Sequence, residues 1–289
     1  MLIRKNYFRL LRRIGILKHL NINIKSTVDN KQVLIPVISE QGLTNYLQLS
    51  EIWMIDLIKK LFQNSLVDGC FVDVGMNIGQ TLIKIKSIDP DIEYIGFEPN
   101  PNCVYYLKKL VQANNYSNTQ ILPIAISDKT EITELLLNNS SEIDSSASMI
   151  KDFRSRTVGT KTLQIPAFEF IDIEYLIPNK IGLLKIDVEG AELEVLNSFI
   201  KRVTKDKSLI FIEILPAYRN ENHFRINRQN KIFELIEKNK YLIYRIMKNQ
   251  DGFDGLHKID QFEIHDDLNL CDYLLIPDVL NKKLRNFMK

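Results

Sequence analysis

The rhythm of apolar and polar positions changes several times along this chain, and each change marks an element. Within residues 1–20, Ile3, Tyr7, Leu10, Leu11, Ile14 and Leu17 recur at three- and four-residue steps between Arg4, Lys5, Arg9, Arg12, Arg13 and Lys18. That spacing predicts an amphipathic helix with a basic face. Such a helix either caps a domain with its apolar side or lies on an anionic membrane surface. Residues 27–38 read as a short hairpin that turns at Asp29-Asn30 and returns through Val33-Leu34-Ile35. Residues 49–63 read as a helix capped by Ser50, with Ile52, Trp53, Leu57, Ile58 and Leu61 as its stripe.

From residue 70 onward, strands and helices alternate. Strands are predicted near 70–74, 93–97, 119–124, 181–186, 208–214, 240–247 and 271–276, and helices near 79–87, 101–114, 190–203 and 226–239. Runs such as Ile181-Gly182-Leu183-Leu184 and Leu209-Ile210-Phe211-Ile212 are apolar without alternation. That pattern fits strands buried on both faces, hence a parallel sheet. The polar stretch 248–269 joins the last two strands as a long loop or hairpin, which turns one strand antiparallel. The expected fold is α/β: a doubly wound, seven-stranded, mostly parallel sheet over residues 66–280. An extension, 1–65, precedes it and a tail, 281–289, follows. Residues 127–169 break the alternation. Two strands, Ile132 to Leu137 and Leu163 to Phe168, flank a tract at 138–160 that carries Ser145, Ser146, Ser148, Arg154 and Arg156. This predicts a β excursion with a mobile loop beside the site, because long loops in compact domains usually serve binding.

Composition narrows the class. The chain has 289 residues, 45% hydrophobic and 26% charged, enough for one large core plus an extension. A net charge of +2 does not call for a nucleic-acid partner, and none is expected. Cys70, Cys103 and Cys271 are odd in number and lack CxxC spacing, so they read as reduced, buried thiols of a cytoplasmic protein. No apolar run approaches the roughly 20 residues that span a bilayer, and residues 1–20 do not separate charge from apolar residues as a signal peptide does.

Candidate chemistry sits at the carboxyl ends of the predicted strands. Phe71 to Thr81 runs from a buried strand into Asp73, then Gly75, Asn77 and Gly79, then a helix start. A glycine turn of this kind offers backbone groups to a nucleotide-like ligand. It lacks the G-x-G-x-x-G of dinucleotide binders and suits an aminoacyl group instead, although a plain βα turn would look the same. About one βα unit later comes Glu98, followed by Asn100. A carboxylate at that strand tip can accept both hydroxyls of a ribose. Ile124-Ala125-Ile126-Ser127-Asp128 ends the third strand with small and polar residues that suit an adenine edge or an ordinary turn. Lys185, Asp187 and Glu189 lie on one face of the next strand's end. Unlike charges there are costly unless they are paired, so they form either a reaction centre or an ion pair with a helix-capping acid. Glu213, at the end of the following strand, can neighbour Asp187 and act as a base. Two carboxylates leave room for a divalent cation such as Mg, but the pattern favours no metal. His223, with Arg225 and Arg228, is a further proton acceptor or part of a solvated loop.

Three stretches in order and at matching spacing carry a family resemblance. Asp73-Val74-Gly75-Met76-Asn77-Ile78-Gly79, Gly96-Phe97-Glu98-Pro99-Asn100 and Leu184-Lys185-Ile186-Asp187-Val188-Glu189-Gly190-Ala191-Glu192-Leu193 resemble the FkbM-type methyltransferases. The resemblance covers roughly residues 66–247. It implies a class I, Rossmann-like fold, S-adenosylmethionine as cofactor, and methylation of hydroxyls on sugars of polysaccharides or glycolipids, or on polyketides. Carried over, Asp73, Gly75, Asn77 and Gly79 would hold the methionine part, Glu98 with Asn100 the ribose, and Asp128 the adenine side. Lys185, Asp187 and Glu189 would line the reaction centre. The base is expected to be Asp187 or Glu189, with Glu213 or His223 next. The expected acceptor is a sugar hydroxyl of a surface glycan or other glycoconjugate. The rival enzyme is a nicotinamide-dependent oxidoreductase, opposed by the missing G-x-G-x-x-G and the missing Tyr-x-x-x-Lys. The rival non-enzyme is a binding subunit on the same fold, opposed by the intact Asp73, Glu98 and Asp187.

Overall fold

The structure is a computed structural model that describes residues 2–47, 49–138, 141–151, 153, 161–250 and 252–287. Arg154 and Arg156, singled out in the sequence, lie outside the described residues.

The N-terminal part opens with helix α1, Leu2–Arg13, and continues through strands β1, Asn21–Val28, and β2, Lys31–Ile38, to helices α2, Leu43–Leu47, and α3, Trp53–Gln63. The hairpin turns at Asp29 and Asn30, both with left-handed φ, as a two-residue turn requires. Its first strand begins at Asn21, earlier than the hydrophobic pattern suggested, because its outer positions are polar and mostly exposed. Ser50 does not cap α3; its hydroxyl bonds Gln80 instead. Helix α1 docks through Phe8, edge-on to Tyr46, while Leu10 and Ile14 remain exposed. Among the described residues, no helix is long and apolar enough to cross a membrane.

The α/β part runs β3, Cys70–Val74; α4, Gln80–Ile88; β4, Tyr94–Phe97; α5, Pro101–Asn114; β5, Thr119–Leu122; and β6, Ala125–Ile126. Then come β7, Glu131–Leu137; β8, Lys161–Phe168; α6, Phe170–Ile173; β9, Ile181–Ile186; α7, Glu192–Asp206; and β10, Leu209–Glu213. The chain ends with α8, His223–Lys238; β11, Tyr241–Asn249; β12, Gly252–Ile259; β13, Asp272–Pro277; and α9, Asn281–Phe287, which occupies the expected tail.

Among the described residues, eight strands form one sheet in the order β12-β11-β13-β10-β9-β3-β4-β5. All seven expected strands are present. The eighth is β12, which folds back on β11 from inside the polar stretch read as a long loop or hairpin. Its Gly252, Asp254, Gly255 and Lys258 hide the strand signal, because glycine and charge are depleted in strands. Strand β13 runs antiparallel to β10, and β12 runs antiparallel to β11, so two strands break the parallel set rather than one. Alternation along each central strand feeds two cores. Phe71, Leu183, Phe211 and Leu274 pack with α3, α4 and α5 on one side, together with the N-terminal hairpin. Val72, Leu184, Ile210 and Leu275 pack with α6, α7 and α8 on the other. This double winding aligns the carboxyl ends of β3, β4, β9 and β10 along one rim. Strands β6, β8 and β7 form a separate small sheet, the predicted β excursion, next to that rim.

Candidate active site

The turn after β3 is shaped by backbone approach. Gly75 has φ 94°, and a Cβ there would lie 1.9 Å from the Asp187 carbonyl oxygen. Only glycine lets the loops after β3 and β9 pass this closely. They are also tied by Asp187 N–H donating to the Val74 carbonyl at 3.0 Å. Asn77 takes a left-handed φ of 47°. Its N–H donates to Glu98 Oε2 at 2.7 Å, while Asn100 N–H donates to Glu98 Oε1 at 2.9 Å. One carboxylate thus fixes two loop turns. Burial pushes the Glu98 carboxyl up to about 7, against the pull of those two N–H groups. Asn100 is a helix cap: its Oδ1 accepts from Asn102 N–H, and its Nδ2 donates to the Glu142 carbonyl at 2.8 Å. That second bond pins the 141–151 segment over the rim.

The result is an open cleft of about 620 Å³, counted with its mouth. Gly75, Asn77, Glu98 and Asn100 line one wall; Ile124, Ile126, Leu135 and Met149 supply apolar surface; Asp187 and Glu189 close one end. A second cleft of about 770 Å³ adjoins it at Gly75, Asn77, Asp187 and Glu189. It adds Ser50, Glu51, Gln80, Lys185 and Glu213.

At the junction stands a buried ionic chain. Lys185 is fully enclosed, with its Nζ 2.8 Å from Asp187 Oδ2 and 3.5 Å from Asp73 Oδ1. Burial alone would lower the Lys185 ammonium, but the two carboxylates raise it above its usual range. Burial also works against ionised Asp187, yet Lys185 holds its carboxyl below the usual range. Glu213 shares a hydrogen bond with Asp187, and burial plus the nearby Asp187 and Asp272 push it up to about 10. At neutral pH, therefore, Asp187 is ionised and Glu213 carries a proton towards it. The unfolded chain releases that proton near the ordinary glutamate value, so stability falls as pH rises from there towards 10. Glu213→Gln cannot ionise. Its melting temperature relative to wild type is expected to improve steadily from pH 6 to pH 9; a constant difference would contradict the assignment.

Among the described residues, no group of three or more His, Cys, Asp or Glu is placed to hold a metal ion.

A sequence model described as the methyltransferase FkbM domain matches residues 73–250. The chain belongs to the FkbM methyltransferase family. Among curated relatives, Methyltransferase 1 of Beauveria bassiana is 26% identical over 147 residues, covering 45% of this chain and 57% of that protein. Ribosomal RNA small subunit methyltransferase G of Mycoplasma capricolum is 29% identical over 114 residues, covering 37% and 49%. This chain thus matches only about half the length of these relatives. The solved methyltransferase FkbM from Methylobacillus flagellatus KT is 15% identical, with a TM-score of 0.44, over 75% of this chain and 47% of that one.

Not every residue singled out in the FkbM motifs reaches the clefts. Asp73 lines neither; it is wholly buried under the turn, bonded by the Tyr94 hydroxyl and paired to Lys185. Burial raises its carboxyl in spite of Lys185. Gly79 starts α4 with φ 77°, where a Cβ would press on Leu107 and Leu110 at 2.8 Å, so it serves helix packing. Asp128 sits in the exposed turn after β6, beside Ser127 and away from both clefts. His223 is exposed at the start of α8 and lines neither cleft. Its neighbours are structural: Arg225 bonds the Pro216 and Phe153 carbonyls, and Arg228 bonds Glu194 and the Gly190 carbonyl. Glu51 and Gln80 were not marked as site residues in the sequence, and Ser50 was read only as a helix cap. Glu51 pairs with the buried Lys84 at 2.9 Å, a contact across 33 residues that no local pattern announces.

Proposed function

We propose that the chain is an S-adenosylmethionine-dependent O-methyltransferase acting on a sugar hydroxyl of a surface glycan or other glycoconjugate. The observation that carries the reading is Glu98: each carboxylate oxygen receives one backbone N–H and keeps capacity for one more donor, on the wall of a partly apolar cleft. The two hydroxyls of a ribose match that capacity. Gly75, where a Cβ would collide with the Asp187 carbonyl, lets the loops after β3 and β9 meet at the cleft, and Ile124, Ile126, Leu135 and Met149 suit a purine. When bound, the cofactor supplies an electrophilic methyl group on a sulfonium.

The remaining roles belong to the chain. Ionised Asp187, at the junction of the clefts, accepts the proton of the acceptor hydroxyl. That hydroxyl becomes acidic as its oxygen gives up charge, so a carboxylate of low basicity suffices. Lys185 fixes the carboxylate's position, and Glu213 supports its charge by donating a hydrogen bond. Glu189 lines both clefts and borders the reacting hydroxyl.

Calorimetric titration tests the cofactor, with NAD as the rival ligand. Glu98→Ala is expected to weaken S-adenosylmethionine by about 1.5–3 kcal/mol, the worth of a charged hydrogen bond. Because Glu98 must ionise to accept both hydroxyls, wild-type affinity should rise between pH 6 and pH 8, with proton release on binding near pH 6.5. Affinity that is flat with pH, or unchanged in Glu98→Ala, would remove the ribose role. Transfer of a tritiated methyl group to a glycan panel tests the reaction.

A further inference from the structure

A third cleft, of about 980 Å³, continues from the second one towards the N-terminal extension; the two share Asn77, Ile78, Gln80 and Ser145. Its far wall is the turn Ser39–Thr44 after β2, and its near wall is Ser141–Ser145. Among the described residues it has no aromatic lining side chain, and most of its groups are hydroxyls, amides and carboxylates. Ser39 and Glu40 hold left-handed φ as the centre of a two-residue turn closed by Ile38 and Gln41. Glu51 and Asn77, which line these clefts, hold left-handed φ without being glycine. Strained positions of this kind persist where the surroundings over-determine them, often at ligand-binding sites.

The wall is bolted to the cofactor turn. Asn45 Nδ2 donates to the Ile78 carbonyl at 2.8 Å, and Gln80 accepts from the Ser50 N–H at 3.3 Å. A Cβ on Gly42 would lie 2.2 Å from both the Pro36 carbonyl and the Tyr106 hydroxyl, so the turn is seated without slack. At its tip, Glu40 keeps Oε2 3.8 Å from Arg12, while Oε1 is enclosed without a hydrogen-bond partner. An enclosed carboxylate oxygen lacking a donor is costly, so a donor arriving in the cleft would draw the Glu40 carboxylate out towards it. With Glu213 protonated, the second cleft carries the carboxylates Glu51, Asp187 and Glu189; among the described residues, Lys185 is its one lining cation, and Lys84 pairs with Glu51 from below. An acceptor with a phosphate or sulfate close to its reacting hydroxyl would be repelled there.

We infer that Ser39–Thr44, with Ser50 and Glu51, forms an acceptor subsite for an uncharged, extended polyhydroxyl chain of several sugar units, and that Glu40 reads its distal hydroxyls. The inference rests on the methyltransferase reading above and adds the length and charge of the acceptor. These residues precede residue 73, where the family match begins. The far wall of the acceptor subsite therefore lies in a part of the chain that the family match does not cover.

The test uses the full chain and neutral oligosaccharides of two to six hexose units, beside their sulfated counterparts. Methyl transfer and binding in the presence of S-adenosylmethionine are both read. Expected are a KM that falls as the chain lengthens, and weaker binding of sulfated chains. Glu40→Gln should raise KM for the longest acceptor about tenfold, as for one lost charged hydrogen bond, with kcat and cofactor affinity unchanged. Hydrogen exchange should show protection at 39–44 when the long acceptor binds. A KM independent of length, a preference for sulfated chains, or a Glu40→Gln variant with unaltered KM would overturn the inference. So would normal cofactor binding with no neutral oligosaccharide bound, an outcome that leaves the cofactor reading standing. Absence of cofactor binding itself would remove both.

Discussion

Lys185→Met should cost about 3–5 kcal/mol in urea unfolding at neutral pH, because it leaves two carboxylates around a buried site without their cation. Asp73 is the reason for the size of the effect. It is wholly enclosed, and among the described residues Lys185 is the one cation paired with it. Typical domains have only about 5–15 kcal/mol to lose. The sign of the pH dependence follows. Without Lys185, Asp73 regains its proton, so its folded pKa lies far above its unfolded one. Stability of the variant is then greatest in acid and falls as pH rises through neutrality. The deficit against wild type should therefore shrink towards pH 5. The double variant Lys185→Met/Asp73→Asn removes both charges and should recover more than 1 kcal/mol of the loss. A deficit under 1 kcal/mol at pH 7, or one that does not vary with pH, would mean that Asp73 is neutral already and that the pair contributes little.

The second large effect is on rate. Asp187→Asn is expected to slow methyl transfer about 10²–10⁴-fold, the usual range for a lost general base. Turnover should fall much more than folding: asparagine keeps the shape, Lys185 keeps Asp73 as a counter-charge, and protonated Glu213 still has an oxygen to donate to. Single-turnover transfer with saturating cofactor separates this from a binding defect. A near-normal rate would take Asp187 out of the chemistry and point to Glu189, which also lines both clefts. If cofactor affinity alone falls, Asp187 acts only as a fixed charge near the cationic ligand, which aids binding more than rate.

Much of this architecture was legible because its signals are local. Continuous apolar runs announced β3, β9 and β10, and three- and four-residue spacing announced α5 and α7. The glycine turn and the acid at the tip of β4 were visible as strand-end chemistry, and Glu98 does stand on the cleft wall. The limits of the reading are also physical. Helix α2 is five residues long, too short for periodicity to show. The alternation rule put Lys185 and Asp187 together correctly, but nothing in the sequence said that Asp73 would turn inward to Lys185 rather than outward to a ligand. That depends on the β3–β9 register, which sets Asp73 opposite Lys185. Glu51 and Gln80 reach the site through contacts 30 or more residues long. Their identities are ordinary for a helix entrance, so only tertiary structure gives them meaning.

The hairpin strand β12 bears on how the molecule behaves among its own copies. It covers the outer edge of β11, whose Ile243 and Ile246 are buried. A register shift at Met247/Lys248, with Gly252, Gly255, Asp254 and Lys258, makes β12 itself a poor template for further pairing. The family match stops at residue 250, just before this strand. A chain trimmed to that boundary would lose β13 as well as β12 and expose open backbone on both β10 and β11. It should elute from size-exclusion chromatography as aggregate where the full chain does not. The segment after residue 250 thus guards solubility, a duty separate from any catalytic one.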